Sequence, residues 1–568
     1  MAKHPATKAK AGKPTSEAQP EQGESVSTTT KPKPWLLIGL AASLAILFFI
    51  VYLARLDHVV GMVVDDAWYV LLAKALATGQ GYTLINSPTP GIRPFYAPFF
   101  PALLSIFYRL SSGFPGNLWL LKSVSVAAMF GAGVLAYVYF RRVRAVPPFA
   151  ALGIAAATVF YPALVFLATS SVMSECVFTL LQLGALLLVE RCVAEREGNA
   201  ALKFAALGAV VVAAAFLTRP AGLGLLAGSV LYLFKEKLTR PLLVFAGIAL
   251  LLVGPWVIYS RVYAPTPEQR AEQGANIVQP YTTQFWQKVA GAPQEGTITI
   301  DDLPERVWNN LSEIAKYDIG GLALYTMFRP LEPGDRVRIG SEGRGLSLLL
   351  AVLVLFGYVM TVRQRLTLAE IVTPLALLIS ISWGWEQFRL LLPLAPLLLY
   401  YLLRGIKGLG DLYLTLTGEA AGSKEWLAAT IVIWLVVAMN LYSNNQYIQK
   451  KNDPTPAYQL KWLRAFDENE ALIKYAGTNL AKDAVVATQN PALVNLYTGH
   501  KTVASDDPAG SWENWKKLGV RYLVRTSPYP LGPPDASENK FNIIQRQSGT
   551  LNLRVVDLGE AATRQSWK

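Results

Sequence analysis

The chain has 568 residues, 52% hydrophobic and 16% charged, with a mean hydropathy of +0.32; a charge content so far below the roughly 25% of soluble domains excludes an ordinary soluble enzyme and marks an integral membrane protein. The net charge of +13 does not signal nucleic acid, because much of the excess sits at the ends of apolar runs, where membrane topology accounts for it. The two cysteines, Cys176 and Cys192, fall in or at the end of one apolar run, so no disulfide framework is readable and neither looks like a metal ligand.

Residues 1–34 are rich in Lys, Pro, Ser, Thr, Gln and Glu. They cannot bury enough surface to fold and are expected as a disordered cytoplasmic tail. The apolar run 35–54 is long enough to cross a core of about 30 Å. A cleaved signal peptide is the alternative, but the leader is long and the run exceeds a signal h-region, so a retained anchor is expected. Six lysines precede the run and Arg55 follows it, which places the N-terminus in the cytoplasm and the next loop outside.

That first outer loop, 55–117, holds the stretch on which the functional reading turns. Asp65 and Asp66 stand in front of an amphipathic segment, 68–77, in which Trp68, Leu71, Leu72, Ala75 and Leu76 recur at helical spacing. The pattern predicts a short helix lying at the membrane interface, with both carboxylates at its N-terminal end, where the helix dipole favours their ionised form. The Gly- and Pro-rich GQGYTLINSPTPGIRP that follows must be loop.

Further apolar runs fall at about 118–140, 149–169, 173–193, 201–217, 221–234, 241–260, 346–362, 366–383, 390–403 and 426–442. With the anchor they make about eleven spans; 97–110 and the 201–234 hairpin are ambiguous in length. Even-numbered spans should end in the cytoplasm and carry basic residues there. They do, at Arg141, Arg142 and Arg144, at Arg191 and Arg196, at Lys235 and Lys237, at Arg363 and Arg365, and at Arg404 and Lys407.

Two larger segments then fall outside. Residues 261–344 are too long for a plain connector and offer short helices at 281–289 and 303–315. From 442 to 568 the spanning runs stop, and the pattern reads as a small α/β unit with a helix over 461–476 and strands at 484–488, 502–504, 522–525 and 553–556. The expected fold is thus an α-helical polytopic membrane protein, its membrane domain covering 35–441, with a small C-terminal α/β domain outside.

No GxxxxGK[ST], HExxH, CxxC or strand-following GxGxxG is present, so ATP-driven transport and zinc hydrolysis lack support. Ionisable residues collect instead at the outer ends of spans. The Asp65–Asp66 pair is the candidate general base: a carboxylate in a partly desolvated cavity can deprotonate an acceptor hydroxyl. A pair of solvated helix caps fits the spacing as well. Two other pairs, Asp301–Asp302 and Asp506–Asp507, sit in polar loops and are set aside.

Arg93, in GIRPFYAPFF, is placed to hold a lipid phosphate, with an interfacial snorkelling arginine as the alternative. Glu175, in SSVMSECVF, stands at the outer mouth of the third and fourth spans, where a carboxylate needs a partner. Arg219, in LTRPAGL, can supply it or bind phosphate. Glu386 and Arg389, in WGWEQFRLLLPLAP, mark another outer mouth suited to a lipid-phosphate contact or to a plain interface anchor. His58 is expected to be a bystander.

Together these motifs make the chain resemble the polytopic membrane glycosyltransferases of the GT-C class, in particular bacterial relatives of the protein O-mannosyltransferases and the lipid A aminoarabinose transferases. VVDDAWYVLLAKALATGQGY followed by RPFYAPFFPALL, then SSVMSECVFTLL, LTRPAGL and EQFRLLLPLAP carry the resemblance. DAVVATQNPALVNLYTGHKTV and GVRYLV add the outer domain. The resemblance implies an inverting transferase of the inner (cytoplasmic) membrane. It would use a polyprenyl-phosphate-linked sugar as donor and a hydroxyl on a lipid, glycan or protein as acceptor. It places the catalytic base on Asp65, with Asp66 beside it; two successive Asp leave open which one acts. It assigns donor-phosphate binding to Arg93, Arg219 and Arg389. No ligand set for a divalent metal is evident, and no obligatory cofactor is expected. Two rivals remain, a transporter or flippase of lipid-linked sugars and a non-catalytic membrane scaffold.

Overall fold

The computed structural model describes residues 34–559 apart from 64, 197, 291–294, 333–338, 418–425, 456–458, 506–507, 528, 532–540 and 548. The expected tail, up to residue 33, and the Asp506–Asp507 pair lie outside the described residues. The chain begins with α1 (Pro34–Arg55), then α2 (Asp65–Ala77) and α3 (Phe99–Leu110) in the first loop. Membrane helices α4 (Leu118–Val143), α5 (Pro148–Val159), α6 (Pro162–Thr169), α7 (Glu175–Glu195), α8 (Gly198–Thr218), α9 (Pro220–Lys235) and α10 (Thr239–Val262) follow.

The long loop folds into α11 (Pro267–Gln273), α12 (Ala275–Val278), α13 (Tyr281–Trp286), α14 (Leu303–Glu313), α15 (Ile319–Ala323) and α16 (Tyr325–Phe328). The remaining spans are α17 (Ser341–Gln364), α18 (Leu368–Ser382), the broken pair α19 (Gln387–Leu391) and α20 (Ala395–Thr417), and α21 (Leu427–Lys451).

Eight helical segments among the described residues are long and apolar enough to cross a membrane, and the α5–α6 pair, bent by 47°, makes a ninth. The sixth and ninth expected spans are the shorter apolar helices α9 and α18. The chain is a multi-pass membrane protein. Helices α17 and α20 cross most closely at Gly357 and Gly405: a Cβ on Gly357 would stand 1.8 Å from the Tyr401 carbonyl oxygen. Only glycine permits backbones to approach so closely within a bilayer.

Beyond α21 come α22 (Lys461–Asn479), β1 (Val485–Thr488), α23 (Pro491–Thr498), β2 (Lys501–Ala504), α24 (Pro508–Lys517), β3 (Val520–Arg525), β4 (Asn542–Arg546) and β5 (Arg554–Asp557). They form one sheet in the order β2-β1-β3-β5-β4, parallel from β2 to β3 and antiparallel beyond. Successive strand residues face opposite sides. Ala487, Leu523 and Val556 accordingly pack with Trp515 in a small core of their own, whereas Val486, Tyr522, Val524 and Val555 join the core of the membrane domain. The C-terminal unit therefore shares its apolar interior with the membrane domain.

One expectation is corrected. Helix α2 does not lie at the interface with one face in water: nine of its 13 residues, Asp66 to Ala73 and Ala75, are buried. Helix α3 packs on it within the first loop and α23 of the C-terminal domain packs on it too. Its second face, Ala67, Val70 and Ala73, is small and apolar enough to accept that cover.

Candidate active site

Asp65 opens α2, where acidic side chains meet the unpaired N–H groups of the first turn. Its Oδ1 accepts the Tyr96 hydroxyl, and its Oδ2 lies 2.9 Å from Arg389 Nη2. Arg389 sits in the five-residue α19, which ends where Pro393 interrupts the helix before α20. Its Nε donates to Glu175 Oε1 at 2.5 Å. Glu175 opens α7 as Asp65 opens α2, and the same oxygen receives Arg219 Nη1 at 2.7 Å.

Arg219, in the extended link between α8 and α9, also donates to Ser174 Oγ at 3.1 Å. That hydroxyl stands 3.3 Å from Tyr69 on α2, whose ring is 5.3 Å from that of Tyr96. The result is a closed ring, Asp65–Arg389–Glu175–Arg219–Ser174–Tyr69–Tyr96, drawn from five separate parts of the chain. It holds two carboxylates and two guanidiniums. Glu175 Oε2 is buried without a hydrogen-bond partner among the described residues. The Asp65 side chain keeps 16% of its surface exposed, whereas that of Glu175 keeps none. Burial beside the Asp65 carboxylate pushes the Tyr69 hydroxyl up to about 12 and raises Tyr96 well above the ordinary phenol range, so both stay protonated.

Asp66 points elsewhere. It is fully buried and accepts the backbone N–H of Gly61 at 2.8 Å and of Ala67 at 3.1 Å. Burial outweighs these bonds and lifts its carboxyl to about 6. The two adjacent aspartates thus divide their roles, one in the ring and one inside the loop.

Of the other expected residues, Arg219, Glu175 and Arg389 are in the ring. Arg93 is outside it: its guanidinium lies 6.0 Å from the Tyr259 ring and 5.8 Å from the Tyr263 ring, with no ion pair among the described residues. Glu386 is also outside, 75% exposed at its side chain and 3.3 Å from Arg329. Arg329 pairs with the nearly buried Asp318 as well and stacks 3.6 Å over Phe388. Helix α19 is therefore gripped from the long loop by Arg329 and from the ring through Arg389. His58 contacts Asp467 of the C-terminal domain at 2.8 Å, away from the ring. Asp302 accepts the N–H and hydroxyl of Thr299 across the exposed turn 300–302 that precedes α14.

Tyr96, Tyr69 and Ser174 were not foreseen, although all three stand in the quoted motifs; hydroxyls in an apolar stretch carry no signal of what they face. Asp318 and Arg329, from the long loop, gave no signal either. No group of three His, Cys, Asp or Glu gathers among the described residues. The donor set of Asp65 and Glu175 is bridged by the Arg389 cation, so it does not fit a divalent metal. Beside Arg219 a void of about 20 Å³ opens between the apolar walls of α7, α9 and α18, with Phe178, Gln182, Val372 and Pro393 among its lining. A larger cavity, about 590 Å³, lies away from the ring between the membrane domain and the C-terminal domain, lined by Asp57, His58, Trp119, Asp467 and Glu470 among others.

No family model matches the chain, and no curated protein matches it. Solved structures do. The archaeal oligosaccharyltransferase AglB from Archaeoglobus fulgidus, in complex with an inhibitory peptide and a dolichol-phosphate, is similar with a TM-score of 0.51 at 12% identity, over 86% of this chain and 70% of its own. ArnT from Cupriavidus metallidurans bound to undecaprenyl phosphate is similar with a TM-score of 0.44 at 13% identity, over 91% of this chain and 98% of its own. At such identities the likeness speaks for architecture alone. With its multi-pass helical domain, the charged ring and the small sheet docked on it, the chain shares its fold with the oligosaccharyltransferase AglB.

Proposed function

We propose that the protein is an inverting glycosyltransferase at the outer face of the cytoplasmic membrane, moving a sugar from a polyprenyl-phosphate-linked donor to a hydroxyl acceptor. The observation that carries this reading is the Asp65 carboxylate, partly exposed and shared between Tyr96 and Arg389. The acceptor oxygen attacks the anomeric carbon in line with the departing phosphate; the sugar–phosphate bond breaks, and Asp65 takes the hydroxyl proton. Arg389 and Arg219 receive the charge that grows on the leaving polyprenyl phosphate. Their guanidiniums are neutralised by Asp65 and Glu175 before donor binds. A donor phosphate that draws Arg389 away from Asp65 frees the carboxylate oxygen Oδ2 for the acceptor hydroxyl. The dolichol-phosphate held by AglB supports a polyprenyl-phosphate-linked donor.

The test follows labelled donor with the purified protein in proteoliposomes. Release of polyprenyl phosphate is expected from the wild type. It should fall about 100- to 10,000-fold in Asp65→Asn, the range a general base contributes, with the protein still present in the membrane at normal levels. Full activity in both Asp65→Asn and Asp66→Asn discards the base assignment, and donor that crosses the bilayer uncleaved identifies a transporter instead.

A further inference from the structure

The C-terminal domain reaches the loop of Asp65 from two directions. On one side, Asn490 serves as the N-cap of α23, its Oδ1 accepting the Leu493 N–H at 3.2 Å, while its Nδ2 donates to the carbonyl of Gly61. The N–H of that same glycine is held by Asp66 at 2.8 Å, so Asn490 and Asp66 clamp one residue by its two backbone groups. Gly61 has φ +81°, and a Cβ there would stand 2.8 Å from Leu493 Cδ1; the turn and α23 fit only as glycine against leucine. On the other side, the edge strand β2 is continued by the loop beyond α2. Thr502 N–H donates to the Asn86 carbonyl at 2.8 Å. Asn86 Nδ2 returns to Thr502 Oγ1 at 3.1 Å, and Lys501 Nζ reaches the Ile85 carbonyl at 2.9 Å. An otherwise open strand edge is closed by the segment it holds. Helix α2 is thus fastened to the C-terminal domain just before its first turn and again after its last.

We propose that Asn490 is a positioning residue for Asp65: through Gly61 and Asp66 it sets the first turn of α2 and so holds the carboxylate in register with Arg389 and Tyr96. Asn490 touches neither donor nor acceptor. It acts through one carbonyl and one buried carboxylate on the residue next in sequence. The inference rests on the base role given to Asp65 above, and it makes the C-terminal domain part of the active site rather than an appended module. A carboxylate displaced by about 1 Å loses on the order of 100-fold in rate without losing substrate affinity.

The experiment uses the full-length protein in nanodiscs and two variants, Asn490→Ser and Asn490→Asp. Both keep an N-cap oxygen for α23; ionised Asp has no donor for the Gly61 carbonyl, and the Ser hydroxyl ends one bond short of the amide nitrogen that reaches it. Hydrogen exchange is read without donor, and kcat and KM with labelled donor. The expected result is exchange at least about 10-fold faster at the α2 amides with protection in β1 and β3 unchanged, and kcat lowered 10-fold or more with donor KM within about twofold. Wild-type exchange in α2 with wild-type kcat in both variants overturns the proposal. So does protection lost equally throughout the C-terminal strands, which reveals a merely structural cap. If wild-type protein releases no polyprenyl phosphate, the transferase reading falls, while the fastening of α2 is still decided by the exchange data.

Discussion

At the scale of single residues, the contrast between Asp65 and Asp66 is the most consequential. Asp66 is buried and its carboxyl is lifted from an ordinary 3.8 to about 6, so between those values the folded chain holds a proton that the unfolded chain has released. Stability attributable to this group is therefore present at acid pH and declines as pH rises through about 6, by on the order of 3 kcal/mol. Thermal unfolding in detergent from pH 4.5 to 7.5 should show that decline in the wild type, and Asp66→Asn should lack it. The same substitution sets an amide against the Gly61 or Ala67 N–H, at a cost of about 1–3 kcal/mol for the unmade bond. The sequence displayed the aspartate pair but not the division of labour. Neighbours at a helix start point about 100° apart, and which one meets Arg389 depends on a residue 324 positions away. Glu175, Arg219 and Arg389 were legible because a charge at the end of an apolar run requires a partner. Glu386 follows the same pattern yet turns towards Arg329, because it precedes α19 on the side of the long loop.

At the scale of elements, α19 is five residues long and gains its position from both flanks. Arg329→Ala removes the cation from the nearly buried Asp318 and the stacking on Phe388. Losing one partner of such a pair costs about 3 kcal/mol. A lower midpoint of thermal unfolding is expected, with transfer reduced through Arg389, and Arg329→Lys should recover only part because it lacks the planar fork. A second buried pair fastens the outer ends of three helices. Lys122 on α4 donates to Asp57 Oδ1 at 3.1 Å and to the Thr169 carbonyl at the end of α6 at 2.9 Å, and neither side chain of the pair is more than 1% exposed. Lys122→Met should cost 3–5 kcal/mol, and adding Asp57→Asn should restore part of it in a double-mutant cycle. Helix α2 was legible from its 3.6-residue period, but its full burial was not, since period alone cannot say what covers the second face. Strand β4, Asn542–Arg546, escaped notice because a polar edge strand carries no apolar alternation.

At the scale of the whole molecule, the C-terminal domain and the membrane domain share one core. Truncation after Lys451 would uncover the α2 surface that α23 covers and remove Asn490 from the Gly61 carbonyl and Thr502 from Asn86. The expected outcome is a chain that elutes as aggregate on size exclusion and transfers no sugar. The apolar runs were readable by length: among the described residues eight fall on helices long enough to cross a membrane, 149–169 falls on the bent α5–α6 pair, and 221–234 and 366–383 fall on the shorter helices α9 and α18. The interlock between residues 61–86 and 490–502 was not readable, because it is made of backbone groups and two asparagines far apart in sequence.

The two short membrane helices carry a consequence of their own. Helix α9, Pro220–Lys235, and helix α18, Leu368–Ser382, pack on one another and measure only about 24 and 22 Å, several ångströms less than an average hydrocarbon layer. A bilayer meets so short a pair by a local dimple, and both helices line the small void beside Arg219. Vesicles of longer acyl chains resist that dimple more strongly, so chain length alone should tune turnover, falling steadily from thin to thick bilayers at constant head-group composition.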